Sequence, residues 1–214
     1  GRGILEEGET GAGLTPRRVK TRAIPINAPN FALAAPVVRA FNSLYYSRVP
    51  ARGRTVVKPI GDFFFPLDKI HDWNRLYGKR GFHQFQCVVP IAEAPALRSM
   101  LEAIAASGLA SPLAVLKRMG PGRAGMLSFP MEGYTLAVDF PNRDAARALI
   151  SRLEAMTVAA GGRLYFAKDS LARGADVRAM YPELDDWRAE VAKADPEGRL
   201  QTDMVRRLKL RSEA

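Results

Sequence analysis

Phe82-His-Gln-Phe-Gln-Cys-Val-Val89 decides how the rest of the chain reads, because alternation assigns one set of side chains to each face of a strand. His83, Phe85, Cys87 and Val89 share one parity, and Gln84 and Gln86 share the other. Downstream, Glu93 to Ser107 carries Leu97, Met100, Leu101 and Ile104 at helical spacing, and Pro112 to Met119 reads as a second strand. A Gly/Pro-rich connection, Gly120 to Gly133, leads to a strand from Tyr134 to Phe140. A helix from Arg143 to Ala159 shows Leu149, Ile150, Leu153 and Met156 on one face. Gly161 and Gly162 end it, and Arg163 to Ala167 is a short final strand. The order strand, helix, strand, strand, helix, strand predicts an α+β fold. It is the ferredoxin-like split β-α-β-β-α-β unit, an antiparallel sheet with both helices on one face.

Parity continues across the unit. Ala114 and Leu116 oppose Val115, Lys117 and Met119, while Leu136, Val138 and Phe140 oppose Thr135 and Ala137. The apolar sets are expected under the helices, which leaves Gln84, Gln86, Lys117 and Thr135 together on the open face. Two amides, an ammonium and a hydroxyl suit a polar ligand, but one polar face is the default of an antiparallel sheet, so from the pattern alone a solvated outer face is the first expectation.

The composition bounds the function. Among 214 residues, 47% are apolar and 25% charged, which excludes a wholly disordered chain. No run of about 18 apolar residues exists to span a bilayer. Cys87 is the only cysteine, so an internal disulfide and a Cys-rich zinc site are excluded; His71 and His83 leave little room for a His-built metal site or triad. With 32 basic and 22 acidic residues the net charge is +10. Nucleic acid, an anionic membrane surface and a phosphate-bearing substrate each account for that excess, and the charge alone does not choose among them.

Residues 1–20, with five glycines, read as a linker or mobile segment. Pro29 to Pro50 has a helix-like patch (Phe31, Val37, Val38, Phe41, Leu44, Tyr45) that Pro36 is expected to interrupt, and Leu67 to Tyr77 reads as one short helix through Ile70, Trp73, Leu76 and Tyr77. Beyond the split unit, an amphipathic helix from Glu183 to Ala194 lies in a tail too short to fold alone. The chain starts on Gly1 without a charged-then-apolar leader, so it reads as a fragment or processed piece.

Several motifs carry a resemblance. They are Pro66-Leu-Asp68, Trp73-Asn-Arg-Leu-Tyr-Gly78, Gly81-Phe-His-Gln-Phe-Gln86, Leu113-Ala-Val-Leu-Lys117, Leu127-Ser-Phe-Pro130, Gly161-Gly-Arg-Leu-Tyr-Phe-Ala-Lys-Asp-Ser170, Met180-Tyr-Pro182 and Met204-Val-Arg-Arg-Leu208. In order, and over nearly the whole chain from about residue 20, they resemble the C-terminal half of decaprenylphosphoryl-β-D-ribose 2-oxidases. These are FAD enzymes of the vanillyl-alcohol oxidase fold, related to the aldonolactone oxidases. The resemblance implies a substrate-binding cap domain over 21–162 and a segment, 163–214, that completes an FAD domain whose N-terminal part lies outside the chain. It implies FAD as cofactor and a polyprenyl-phosphoryl sugar as substrate, with a short-chain reductase as partner and a location at a membrane surface. The fragment alone is expected to be inactive, and nucleic acid is not an expected partner.

The same resemblance assigns roles. Gln84 and Gln86 match paired pocket glutamines and Lys117 a pocket lysine; Tyr165 and Lys168 match the tyrosine and lysine beside the flavin; Trp73 and Arg75 match a mobile loop near the entrance. Thr135 joins the substrate side by its place on the sheet. Lys168 is expected to stabilise negative charge on the reduced ring, and Tyr165 to bond substrate or pack on the flavin. The chain departs from the family pattern at Phe64, Met119, Thr135 and Ala137, where members carry Tyr, Phe, Asn and, in mycobacteria, Cys. His71, His83, Cys87 and Trp187 are expected to be structural.

Overall fold

In a computed structural model, residues 3–13, 15, 21–65, 67–109, 113–122 and 124–211 are described. The chain divides into two compact units, Gly1–Gly81 and Phe82–Ala214. The expected boundary between 162 and 163 does not coincide with this division. Residues of the tail join those of the sheet in one core, as described below.

The first unit has little regular structure. Strand β1 (Arg22–Ala23) pairs in parallel with β2 (Ile70–His71), and between them run helices α1 (Ala35–Ser47) and α2 (Ile60–Phe64). Pro36 does not interrupt the helical patch but starts it. It sits in the first turn of α1, where a missing N–H costs nothing, and Phe31 lies in a separate 3-10 turn, Asn30–Leu33. The helix expected from Leu67 to Tyr77 is instead β2 followed by a 3-10 turn, Trp73–Tyr77. Asp72 between them takes a left-handed conformation (φ 55°), which no helix can pass through. Pro66, the expected strand start at Pro112, and residues 1, 2, 14 and 16–20 of the expected linker lie outside the described residues.

The second unit is the split arrangement. Strands β3 (Phe82–Pro90), β4 (Ala114–Met119), β5 (Gly133–Pro141) and β6 (Arg163–Leu164) form one antiparallel sheet in the order β4-β5-β3-β6. Helices α3 (Ala94–Ala106) and α4 (Asp144–Ala159) pack on each other and on the central strands. Phe85, Cys87, Val89, Leu136, Val138 and Phe140 are buried beneath them with Leu97, Met100, Leu149, Ile150 and Leu153, as the parity requires. Gly161 (φ 61°) turns the chain out of α4, and at Gly162 any Cβ would collide with the Val88 carbonyl oxygen.

Two expectations about the sheet fail. Leu116 shares the helix-side parity yet is 53% exposed, and Ala114 is also exposed. Strand β4 is the sheet edge, and α3 and α4 lie over β3 and β5. The last strand ends at Leu164 rather than Ala167, and Phe166–Lys168 forms a 3-10 turn.

The tail adds three helices, α5 (Gly174–Met180), α6 (Leu184–Ala194) and α7 (Asp203–Arg207), of which only α6 is legible from periodicity. Ala172, Val177, Met180, Tyr181, Leu184, Leu208 and Leu210 enter the same core as the sheet residues. Tyr181 donates to the Leu164 carbonyl at 2.7 Å, and burial pushes its hydroxyl up to about 12. Trp187 packs against this core, as expected of an anchor. Asp195 accepts from the backbone N–H groups of Arg199 (3.0 Å) and Leu200 (2.8 Å) and from the Arg211 guanidinium, which together hold its carboxyl below the usual carboxylate range. Glu154 on α4 is buried, with Oε2 lacking a hydrogen-bond partner, and desolvation raises its carboxyl to about 7.

Candidate active site

The open face of the sheet is built by register. Gln84 lies opposite Asp139, Gln86 opposite Ala137, and Val88 opposite Thr135, while Lys117 on β4 lies opposite Thr135 from the other side. On the far edge Arg163 pairs with Val88, and the Tyr165 N–H donates to the Gln86 carbonyl at 3.0 Å, which carries Tyr165 to the same row as Gln86. Residues directly opposite in antiparallel strands share a face, so Gln84, Gln86, Thr135, Asp139, Tyr165 and Lys117 stand on one surface.

Side chains tie this surface together. Gln84 Nε2 donates to Asp139 Oδ1 at 3.0 Å, and Gln84 Oε1 accepts from Lys168 Nζ. Gln86 Nε2 donates to Thr135 Oγ1 at 3.3 Å. Lys168 reaches the face because its N–H bonds the Tyr165 carbonyl (2.8 Å), closing the tight turn that brings its stem back over β3. The ammonium is half-buried, Thr135 is buried, and Asp139 is 2% exposed. A carboxylate so deep needs partners, and the Gln84 amide is one of them.

The segment before β5 flanks this surface. Phe129 is buried, with its ring 4.8 Å from that of Tyr165, and Arg163 Nη1 donates to the Ser128 carbonyl at 2.9 Å. Val88, on the open face, is fully buried. The face is therefore covered in part and is not a simple solvated exterior, while Tyr165 keeps 37% of its surface exposed.

Of the residues singled out by sequence, Gln84, Gln86, Thr135, Tyr165 and Lys168 come together. Lys117 is on the same face but exposed on the edge strand. Trp73 and Arg75 belong to the first unit. Arg75 Nη1 donates to the carbonyls of Ile24 (2.9 Å) and Pro25 (3.1 Å), and Trp73 meets Tyr77 edge-on at 6.2 Å, so this turn is internally braced. Asp139 was missed. Its signal was present in the parity of β5, as the one acidic residue on the Thr135 and Ala137 side. Of the residues read as structural, Cys87 is on the helix side with its thiol pushed by burial up to about 11, His83 is half-buried with Nε2 3.0 Å from Asn142 Oδ1, and His71 is exposed. Among the described residues, no cluster of three or more His, Cys, Asp or Glu is gathered to hold a metal.

No protein-family model matches the chain. Over 157 residues, 73% of the chain, it is 40% identical to "Decaprenylphosphoryl-beta-D-ribose oxidase" of Mycolicibacterium smegmatis, and over 196 residues it is 31% identical to "Uncharacterized protein in mprA 5'region" of Streptomyces coelicolor. The matches cover 34% and 53% of those proteins, so the chain spans between a third and about half of their length. The long ordered motifs and the polar face of β3, β5 and β6 thus meet in one conclusion: over these 157 residues the chain is related to decaprenylphosphoryl-beta-D-ribose oxidase.

Proposed function

We propose that this chain supplies the substrate side of an FAD-dependent oxidoreductase that oxidises the 2-hydroxyl of a polyprenyl-phosphoryl-β-D-ribose. The observation that supports it most is the linked set Asp139, Gln84 and Lys168 beside Gln86, Thr135 and Tyr165, on a chain 40% identical to an oxidase of that name. The donor set fits a flavin edge: a half-buried ammonium beside a partly exposed phenol is suited to a ring that gains negative charge on reduction. Lys168 and Tyr165 would hold that edge, and bound FAD supplies the acceptor for the hydride.

The remaining roles belong to the chain's own residues. Gln84 is fixed by Asp139, which takes its amide N–H and leaves Oε1 to receive the Lys168 ammonium. Gln86 and Thr135 present both donor and acceptor capacity to sugar hydroxyls. Lys117, exposed at the sheet edge, is placed for a more distant anionic group such as the substrate phosphate. Trp73 and Arg75 contribute an entrance turn. The main cradle of FAD is assigned to residues outside these 214, and a short-chain reductase acting on the keto product would complete epimerisation to arabinose for the cell envelope.

Anaerobic flavin reduction tests the reading. Protein with its complete flavin domain is expected to bleach its flavin with polyprenyl-phosphoryl ribose. Bleaching by an aldonolactone alone would replace this substrate with the related lactone, and stoichiometric FAD on the 214-residue chain by itself would overturn the division of labour. The ferredoxin-like arrangement also serves RNA binding, but the central strands offer Gln84, Gln86, Thr135, Ala137 and Asp139 in place of stacking rings.

A further inference from the structure

The motif Met204-Val-Arg-Arg-Leu208 lies far along the chain from the sheet, and none of the roles above uses it. It belongs to α7, which begins where the Thr202 hydroxyl accepts the Val205 N–H at 3.2 Å and ends on Arg207. Its two arginines differ in what they hold. Arg206 pairs with Asp203 on its own helix. Arg207 reaches back 38 positions in sequence: Nη2 donates to Asp169 Oδ2, and Nη1 donates to the Ala172 carbonyl at 2.8 Å. A guanidinium serves both acceptors because its planar fork presents two N–H directions at once, which the point charge of an ammonium does not.

Asp169 and Ala172 are the two ends of the loop that follows Lys168. The Ala172 N–H donates to the Asp169 carbonyl at 2.9 Å, and this turn runs straight on from the one in which the Lys168 N–H meets the Tyr165 carbonyl. A three-residue 3-10 turn has poor hydrogen-bond geometry and does not hold itself rigidly. Its entry is fixed by the bond from the Tyr165 N–H to the Gln86 carbonyl, and its exit by Arg207. His83 Nδ1 lies 3.4 Å from Ser170 Oγ in the same loop, a longer and weaker brace. The approach of α7 is close: a Cβ at Gly174 would stand 2.8 Å from the Leu208 carbonyl oxygen, so the end of α7 presses on the start of α5. The Arg207 side chain is 40% exposed and that of Asp169 21%, and an ion pair this open to water adds little to overall stability. Two bonds to one short loop can nevertheless fix where Lys168 Nζ meets Gln84 Oε1.

We propose that Arg207 is a positioning residue for Lys168, holding the loop behind it so that its ammonium stays on Gln84. The effect on oxidation rests on the flavin-side role proposed for Lys168; the placement of the ammonium does not. Trace labelling with acetic anhydride, read at each lysine by peptide mass spectrometry, tests the placement on the protein with its complete flavin domain. Arg207→Met is expected to speed labelling of Lys168 by about threefold or more relative to the exposed Lys193, since an amine released from its acceptor is open to the reagent more often. Asp169→Asn is expected to shift labelling in the same direction and carries the same test where Arg207→Met does not fold; Arg207→Lys is expected to shift it less, and Arg206→Met not at all. Flavin reduction supplies a second readout: Arg207→Met is expected to slow it by about tenfold at saturating substrate with little change in KM, and to have no further effect in a Lys168→Met background. Its effect on the melting temperature is expected to be the same in both backgrounds. Unchanged labelling of Lys168 in Arg207→Met and Asp169→Asn, equal labelling in Arg206→Met, or a slowing that persists without Lys168 would each overturn the proposal. If Lys168→Met leaves flavin reduction unchanged while Arg207→Met still speeds labelling, the positioning stands and the flavin-side role falls.

Discussion

Asp139 stands directly opposite Gln84 in the ladder between β3 and β5 and takes its amide N–H at 3.0 Å, which turns the amide oxygen toward Lys168. One carboxylate thereby orients two other side chains. Asp139→Leu removes the acceptor and leaves a partly buried amide donor unpaired, a loss of about 1–3 kcal/mol in thermal or denaturant unfolding. Asp139→Asn keeps an acceptor oxygen in place and is expected to lose less.

The two lysines are expected to separate kinetically. Lys168→Met removes a half-buried ammonium tied to Gln84 and is expected to slow flavin reduction by about 10²–10³ at saturating substrate. Lys117→Met removes an exposed one and is expected to raise KM with little change in kcat. Stopped-flow absorbance of the flavin measures both, and equal effects on kcat would contradict the roles assigned.

Glu154 makes stability depend on pH. Its carboxyl titrates near 7 when folded and near 4.5 when unfolded, so between those values the native state holds a proton that the unfolded state has released. Stability is expected to fall as pH rises from about 4.5 to 7 and then to level, by up to about 3 kcal/mol. Glu154→Gln abolishes the slope and raises the melting temperature at pH 8 far more than at pH 4. Asp195, with its carboxyl held low chiefly by Arg211, works in the opposite sense, adding stability above its unfolded value that is lost on acidification.

Leu116 and Leu136 face each other across β4 and β5, yet one is 53% exposed and the other 1%. Leu136→Ala is expected to cost about 2–5 kcal/mol, whereas Leu116→Ala costs under about 1 kcal/mol. Chemical denaturation of the two variants checks the placement of the helices over β3 and β5.

The central sheet was legible because alternation in residues 82–89 and 134–140 is strict, and parity depends only on backbone geometry. The parts that sequence misread all depend on neighbours. Leu116 has the right parity and the wrong place, since an edge strand extends past its helices. Pro36 is compatible with a first turn as well as with a break, and periodicity cannot distinguish them. At Asp72 a left-handed residue divides an apparently helical pattern. Lys168 joined the candidate site by resemblance; its placement against Gln84 comes from a three-residue turn with no periodic signal. Asp139 was hidden by its apolar strand, although an isolated acid on the polar parity is a readable sign.

Neighbouring residues Gln86 and Cys87 point to opposite sides of β3, and this governs how the chain meets electrophiles. Ala137 stands opposite Gln86, where it offers no nucleophile. The one sulfhydryl of the chain is sealed beneath the helices, with its proton retained to about pH 11. Thiol-capturing reagents therefore find no anchor on the polar face, where the side chains able to meet an electrophile are the amines of Lys117 and Lys168 and the phenol of Tyr165.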